Sequence, residues 1–233
     1  MRTLALACET IRDEIELSVK KTGSPMPIYW VESGLHNSPE RLRRRLQKEI
    51  ALLERRDSPD YILLLFGYCG NALLGLTSSR ATLIVPRVDD CISLLLGGNK
   101  KRDLLNRKAM AYYLTKGWLR HKNNLWYEHR CCLYKYGPEQ TERIYRLMLG
   151  RYENLNVIKT GAYDLNEILP LTRVLAEDLG LQHRLVNGSL RIIHKALLEE
   201  WDDDFAVIKA GLPVSLKTLK LFPAPLPRAD SGS

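Results

Sequence analysis

The chain has 233 residues, of which 45% are hydrophobic, so it can bury a well-filled core in one or two domains. Its longest apolar run, Tyr61–Phe66, is far shorter than the roughly 20 residues of a membrane-spanning helix. Met1–Thr10 also lacks the layout of a secretory signal. The odd number of cysteines, five, argues against a disulfide framework. We therefore expect a cytoplasmic protein without membrane segments, whose thiols are reduced or bind metal.

The net charge of +8 raises the possibility of a nucleic-acid partner. Basic residues concentrate in Arg41–Arg56, Lys100–Lys108 and Lys116–Arg130. Basic helix faces are usually only solvated, and the sequence has no helix-turn-helix, zinc-finger or RNA-recognition signature. Nucleic acid is therefore not the partner that we expect.

The first third of the sequence alternates apolar strands with amphipathic helices, which is typical of βαβ units and a parallel sheet. Short helices are also predicted from Asn71 onward and over residues 92–98. The predicted strands are Met1–Ala7, Met26–Val31, Tyr61–Gly67 and Ala81–Pro86, and the longer helices are Glu9–Lys20 and Pro39–Arg56.

Residues 99–140 are rich in aromatic and basic side chains and show no sustained period. We interpret them as a helical insertion that covers the crevice as a lid or offers a partner surface. An aromatic-rich secondary core is an equally good interpretation. Cys131 and Cys132 lie in this segment and are expected to be ordinary or redox-sensitive thiols.

The α/β alternation resumes in the last third, which adds about three strands. We therefore predict an α/β protein with a mainly parallel open sheet of about seven strands, flanking helices and the insertion. The predicted organisation is a first α/β half, the insertion, a second α/β half and an extended or disordered tail, over residues 1–98, 99–140, 141–212 and 213–233. The added strands are Asn156–Lys159, Gln182–Val186 and Phe205–Lys209, and the helices are Thr141–Tyr152, Glu167–Leu179 and Ser189–Trp201.

Three cysteines follow predicted strands. Cys8 follows the first strand, Cys69 the third and Cys91 the fourth. The carboxyl ends of parallel strands border one crevice, where ligands usually bind. A buried cysteine is also a common core residue. The shared position at strand ends nevertheless predicts that these three thiols form one site.

Such a site has two metal interpretations. With His36, from the loop after the second strand, the sulfur and nitrogen ligands suit zinc with room for an exogenous group. Without His36, three thiolates suit a [4Fe–4S] cluster with one open iron. Glu9, Asp89 and Asp90 are further candidate ligands, although a loop histidine or a helix-capping aspartate often has no such role.

Two other interpretations remain open. Cys69 and Cys91 could act on opposite sides of a substrate in a metal-free thiol enzyme, as in two-cysteine racemases. Arg87 could bind an anionic substrate group, although a surface ion pair explains it equally simply.

Five motifs together resemble a bacterial and archaeal family classed as a domain of unknown function, over nearly the whole chain. Genes of that family often lie beside those of corrinoid-dependent methyltransferases. The motifs are ALACE at Ala5–Glu9, GLHNSPERL at Gly34–Leu42, GYCGNALLGL at Gly67–Leu76, VPRVDDCISLLLG at Val85–Gly97 and YYLTKGWL at Tyr112–Leu119.

The resemblance implies a setting in methyl-transfer or one-carbon metabolism. It also implies functional positions for six residues, which are Cys8, Cys69, Cys91, His36, Arg87 and Asp90. Our leading hypothesis is an enzyme in which the cysteines and His36 bind zinc, Arg87 and Asp90 contact substrate, and a methyl group or thiol is handled. The alternative is a [4Fe–4S] electron-transfer protein or an accessory partner of a corrinoid protein or methyltransferase.

Overall fold

The structure is a computed structural model that describes residues 1–121 and 124–219, including the backbone but not the side chain of His36. In these ranges the strands are Thr3–Cys8 (β1), Ile28–Val31 (β2), Tyr61–Leu65 (β3), Thr82–Pro86 (β4), Ala111–Leu114 (β5), Asn154–Lys159 (β6), Gln182–Asn187 (β7) and Phe205–Ile208 (β8). The α-helices are Arg12–Thr22 (α1), Pro39–Asp57 (α2), Cys91–Leu96 (α3), Asn99–Lys108 (α4), Lys116–Arg120 (α5), Leu125–Leu149 (α6), Leu169–Asp178 (α7), Arg191–Leu197 (α8) and Leu216–Leu219 (α9).

The larger sheet contains five strands in the order β2-β1-β3-β4-β8. The first four strands are parallel, and β8 is antiparallel to β4. The continuous apolar sequence of β1 fits this position, because every residue of the strand is buried and both of its faces are covered by helices and loops. The first third of the chain thus folds into the parallel α/β arrangement that its sequence predicts.

A second, separate sheet contains three parallel strands in the order β5-β6-β7. The predicted single sheet of seven strands is therefore wrong. Strand β5 lies within the segment predicted to be a helical insertion and pairs with β6, whereas β8 returns to β4. The error has a physical cause, since an apolar pattern indicates that a segment is a strand but does not specify its hydrogen-bonding partner.

Two local features also differ from the predictions. No helix begins at Asn71, because Cys69, Gly70 and Asn71 all have positive φ angles, which are incompatible with a right-handed helix. Helix α6 begins earlier than predicted and is interrupted at Gly137 (φ 77°, ψ 173°), next to Pro138. Proline cannot donate the backbone hydrogen bond of a continuous helix, so this break is expected.

The last described segment packs against the larger sheet. The Arg87 guanidinium, in the loop after β4, donates hydrogen bonds to the main-chain carbonyls of Phe205 and Thr218. The predicted tail (213–233) contains the one-turn helix α9, and its residues 220–233 lie outside the described part of the chain. Among the described residues, no helix combines the length and apolarity that crossing a membrane requires.

Candidate functional site

A cavity of about 410 Å³ lies where the carboxyl edge of the larger sheet faces strand β5 of the smaller sheet. Every loop that follows β1 to β4 contributes to its lining, as do β5 and α5. This is the edge at which open α/β sheets usually bind ligands. The residues that carry chemistry there are Cys8, Cys69, Cys91, Glu32, Asn37, Asp89, Asp90, Arg102, Tyr112, Tyr113, Trp118 and Tyr152.

The structure brings the three predicted thiols together on one side of this cavity. Cys8 is the last residue of β1, Cys69 lies in the loop after β3, and Cys91 is the first residue of α3. The Cys91 thiol occupies the central position, because it makes hydrogen-bonding contacts with the thiols of both Cys8 and Cys69. None of the three forms a disulfide.

Two adjacent loops hold these thiols in place. The backbone N–H of Cys69 donates to the carbonyl of Asp89 at 2.8 Å, and the N–H of Tyr68 donates to that of Val88 at 2.9 Å. A Cβ atom on Gly67 would overlap the backbone of Asp90. Only glycine at position 67 therefore allows the two loops to approach so closely.

The loop that carries Cys69 also has an unusual backbone. Cys69 (φ 47°), Gly70 (φ 61°) and Asn71 (φ 78°) lie consecutively in the left-handed region. This region costs non-glycine residues roughly 1 to 2 kcal/mol, although asparagine tolerates it better than most. Strain of this kind is concentrated at ligand-binding and active sites, where the surrounding structure maintains it.

Two of the thiols are held in the protonated form. The hydrogen bond from the Cys91 side chain, together with burial, raises the pKa of Cys8 well above its ordinary value. The contact with Cys69 is the main cause that raises the pKa of Cys91, and burial adds to it. Both groups are therefore thiols at neutral pH, and binding of a metal would have to displace their protons.

Charged groups border the thiols. The Asp90 carboxylate caps α3 by accepting a hydrogen bond from the backbone N–H of Ser93 at 2.8 Å, and its other oxygen pairs with Arg102 from α4. The neighbouring Asp89 forms two hydrogen bonds with Asn99. Asp90 thus has a structural role as a cap while it also places the Arg102 guanidinium at the cavity.

Four aromatic side chains also line the cavity, and we name them the aromatic wall. Tyr112 and Tyr113 come from β5, Trp118 from α5, and Tyr152 from the turn after α6. The rings of Tyr112 and Tyr152 meet edge to face, with centroids 6.0 Å apart and planes at 77°. Burial raises the pKa of both Tyr112 and Tyr113, so their hydroxyl groups are neutral at physiological pH.

The remaining predicted site residues have different surroundings. His36 lies in the one-turn 3-10 helix Leu35–Asn37, whose two end residues line the cavity, but the His36 side chain lies outside what the structure describes. Arg87 does not line the cavity, because its guanidinium binds the carbonyls of β8 and α9 described above. Glu9 forms an ion pair with Arg12 at 2.7 Å.

The two remaining cysteines lie on α6. Cys131 is exposed and Cys132 is partly buried, and neither lines the cavity.

Seven of these twelve lining residues were missing from the sequence-based site, and four of them illustrate the reasons. Arg102 belongs to α4, a helix with no buried residue, so its sequence is that of a solvated face. Tyr112 and Tyr113 open the motif at Tyr112–Leu119, which was a usable signal, but the strand that contains them was not predicted. Tyr152 has no sequence signal of its own, since only the pairing of β5 with β6 brings it to the cavity.

The three thiols provide sulfur ligands of the kind that zinc binds. Four tetrahedral ligands at about 2.3 Å from zinc lie about 3.8 Å from one another, a separation typical of sulfur atoms in hydrogen-bonding contact. Across residues 1–121 and 124–219, however, no group of three or more His, Cys, Asp or Glu side chains is already arranged to hold a metal ion. The thiols therefore suit zinc chemically, and binding requires them to rotate from their hydrogen-bonded arrangement.

Comparisons with known proteins identify the family. Residues 30–197, most of the chain, match a family model described as "Protein of unknown function (DUF1638)", a range that includes Cys69 and Cys91 but begins after Cys8. No curated protein matches, and no solved structure does. The matched range contains the whole smaller sheet, strands β3 and β4 of the larger sheet, and all of the cavity lining except Cys8 and Thr10. The chain therefore belongs to the DUF1638 family.

Proposed function

We propose that the protein is a thiolate metalloprotein in which Cys8, Cys69 and Cys91 hold a zinc ion beside a substrate cavity. The observation that carries the proposal is that three thiols line one cavity at the carboxyl edge of the sheet, with Cys91 interacting with both other thiols, and that this cavity is large enough for a small molecule. His36 is the candidate fourth ligand because its neighbours in the 3-10 helix line the same cavity.

Zinc is favoured over a [4Fe–4S] cluster by the spacing of the thiols. In a cluster each cysteine binds a separate iron, so the sulfur atoms stand at different corners of the cube. Here the Cys91 thiol directly contacts both other thiols, which suits ligands that share one ion. A cluster remains the second candidate, since three cysteines would leave its fourth iron open.

A metal-free thiol enzyme is supported less well. Its mechanism needs a substrate between two thiols that face each other from opposite sides. The side-chain hydrogen bond with Cys69 is the main cause that raises the pKa of Cys91, which favours two thiols side by side over two thiols across a substrate. In addition, such an enzyme needs one of its two cysteines as a thiolate base, and the raised pKa of Cys91 disfavours that form.

The reaction class that we propose is the handling of a methyl group or thiol. Bound zinc would supply Lewis-acid activation of a substrate thiol. The residues of the chain would bind and orient that substrate between the thiols and the aromatic wall and would exclude water. The resemblance of the sequence motifs to a family encoded beside corrinoid methyltransferases supports a corrinoid protein or methyltransferase as partner.

Metal analysis of protein purified without oxygen tests the proposal. We expect about one zinc per chain in the wild type, and loss of most of it in Cys69→Ala, because each thiolate ligand contributes to the affinity of the site for zinc. Cys131→Ala is the matched control, since this exposed thiol lies away from the cavity and should leave the metal content unchanged. The measurement is elemental analysis together with an absorption spectrum.

Other outcomes change the proposal in defined ways. About four irons per chain with a brown absorption band would replace zinc with a cluster. Wild-type protein that contains neither metal after anaerobic purification and reconstitution would overturn the metalloprotein proposal. Equal metal content in Cys69→Ala and wild type would show that Cys69 is not a metal ligand and would overturn the proposed thiol site.

A further inference from the structure

The cavity beside the thiols has an acidic character that the metal proposal does not use. Its described lining contains three carboxylates, from Glu32, Asp89 and Asp90, but one cationic side chain, Arg102. The chain as a whole carries a net charge of +8, so this acidic surface is a local departure from a basic protein. Such a focus of negative charge attracts cations.

The pairing of these charges shows which carboxylate remains for a ligand. Asp90 pairs with Arg102, and Glu32 lies 3.3 Å from the Arg45 guanidinium. Asp89 instead forms its side-chain hydrogen bond with the neutral amide of Asn99, at 3.0 Å. Asp89 therefore has no ion pair of its own in the described part of the chain, although Arg102 also acts on it electrostatically.

The charge of the thiol site does not reverse this balance. Three neutral thiols contribute nothing, whereas three thiolates around one zinc ion contribute a net charge of minus one. A cluster bound by three thiolates is also negative in its common oxidation states. An anionic ligand would meet net repulsion in each case, and a cationic ligand would meet attraction.

The aromatic wall supplies the second element of cation recognition. Tyr112 and Tyr152 meet edge to face at 77°, so their rings form two walls of a corner, and Tyr113 and Trp118 line the same cavity. Aromatic rings attract cations through their quadrupole, most strongly when the cation is weakly hydrated, as an alkylated ammonium is. Aromatic cages of this kind recognise quaternary ammonium groups.

We infer that this cavity binds a small alkylated ammonium ligand between the aromatic wall of Tyr112, Trp118 and Tyr152 and the carboxylate of Asp89. The ligand's cationic end lies against the rings, and the rest of the molecule extends toward the thiols. The inference names the ligand class of the proposed function, on which it rests for the role of the cavity as a substrate site.

Calorimetric titration of the full chain with choline, compared with its uncharged carbon isostere, tests the inference. In the isostere a tert-butyl group replaces the trimethylammonium group, so the two probes share size and shape and differ in charge. We expect choline to bind about tenfold or more tightly than the isostere, because cation–π attraction in a desolvated cavity is lost with the charge. Equal binding of the two probes would overturn the inference.

Substitutions locate the site. Tyr152→Phe keeps the ring and should change choline affinity by less than about twofold, whereas Tyr152→Leu removes the ring and should weaken binding about three- to tenfold. Tyr134→Leu on α6 is the matched control, because this side chain is 95% exposed and does not line the cavity. Asp89→Asn should also weaken choline binding. Equal affinities for Tyr152→Leu and Tyr134→Leu would place the ligand elsewhere and overturn the inference.

Two further results separate this inference from the metal proposal. Metal content is measured on the same preparations, and normal zinc content without any binding of choline or tetramethylammonium would overturn the inference alone. Choline binding in protein that holds no metal after reconstitution would overturn the metal proposal alone. Binding of acetate in place of choline, lost in Arg102→Ala, would show an anion site and overturn the inference.

Discussion

Two buried polar clusters of the larger sheet have opposite properties. The thiol cluster consists of Cys8, Cys69 and Cys91 at the carboxyl edge. The other, which we name the Glu54 clamp, consists of Glu54 near the end of α2 and the segment Ser78–Ala81 before β4. Both lie close to loops that connect strands, yet one contains groups held in their neutral form and the other a group held in its charged form.

The Glu54 clamp is fully satisfied by protein donors. Its carboxylate accepts hydrogen bonds from the hydroxyl groups of Ser78 and Ser79, at 2.6 and 3.0 Å, and from the backbone N–H groups of Arg80 and Ala81, at 2.7 and 3.2 Å. Burial alone would raise the pKa of Glu54, but these hydrogen bonds outweigh it and lower the pKa to about 2. The carboxylate thus accepts four hydrogen bonds from the protein itself, and these bonds join α2 to the segment before β4.

The thiol cluster shows the reverse pattern. Its groups bond mainly with each other, two of them have raised pKa values, the Cys69 backbone is strained, and a cavity lies beside them. The comparison teaches that burial alone does not distinguish a structural polar group from a functional one. The distinction depends on whether the protein itself supplies the partners.

Of the substitutions that test this comparison, Glu54→Gln should cause the largest loss of stability. In Glu54→Gln the amide cannot accept all four hydrogen bonds, so we expect a loss of about 3 to 5 kcal/mol in the free energy of unfolding at pH 7. The lowered pKa means that the stabilisation is present above pH 4.5 and is lost as the pH falls toward 2. Urea unfolding at pH 7 and pH 3 should therefore give a larger difference between wild type and variant at pH 7.

A surface substitution on the same helix provides the control. Glu40→Gln changes an exposed residue that pairs with Arg44 at 3.8 Å, and its cost should be below about 0.5 kcal/mol. If Glu54→Gln cost no more than Glu40→Gln, the clamp would have no structural role.

Glu14 on α1 provides an intermediate case. It is 1% exposed, and Thr160 donates one hydrogen bond to it at 3.1 Å, so burial dominates and raises the pKa of Glu14 to about 7. The folded chain thus keeps this proton at a pH where the unfolded chain has lost it, and stability falls as the pH rises from 4.5 to 7. We expect the ionisation of Glu14 to lower the free energy of unfolding by about 3 kcal/mol over this pH range.

Glu14→Gln should remove that part of the pH dependence, because the amide is neutral throughout and its oxygen still accepts from Thr160. Thermal or urea unfolding should show the variant equal to wild type near pH 4 and more stable at pH 8. Glu16→Gln, an exposed position on the same helix, should keep the wild-type dependence. A Glu14→Gln variant with the wild-type pH profile would contradict the raised pKa.

Gly67 provides the smallest effect on stability but a direct effect on the site. Gly67→Ala forces the loop after β3 away from Asp90, and overpacking of this kind costs about 1 to 3 kcal/mol. The movement separates Cys69 from Cys91, so zinc content should fall together with stability. Both quantities are measured on the same preparation.

The control for this variant is Gly75→Ala. Gly75 has φ 78°, but no atom lies within 4 Å of the position that a Cβ would occupy there. Alanine at this position should therefore cost about 1 kcal/mol in backbone strain and leave zinc content unchanged. Equal zinc content in the two variants would show that the close approach of the loops does not position the thiols.

The sequence predicts the thiol side of the site better than the rest. The thiols follow apolar strands whose continuous hydrophobic runs identify them as central parallel strands, so topology alone places Cys8, Cys69 and Cys91 at one edge. Whether the Cys8 side chain faces the cavity depends on the register between β1 and its neighbours, in which Cys8 pairs with Val31 of β2. The sequence of β1 alone does not specify this register.

The rest of the cavity lining could not be predicted because it depends on long-range pairing. Strand β5 has four residues, too few to show alternation, and its role as an edge strand follows from its pairing with β6 about forty positions later. Arg102 belongs to a polar helix, and the ion pair with Asp90 that brings it to the cavity exists only in the folded chain.

The return of β8 to the larger sheet has a consequence for synthesis of the chain. Arg87 and its partner Phe205 lie 118 positions apart, so β4 emerges from the ribosome long before the strand that covers its edge. During that interval the nascent sheet exposes an unpaired, hydrophobic edge, which is the kind of surface that chaperones protect. The larger sheet thus cannot be completed until β8 has been synthesised, and we expect a chain that terminates before β8 to expose an aggregation-prone edge on β4.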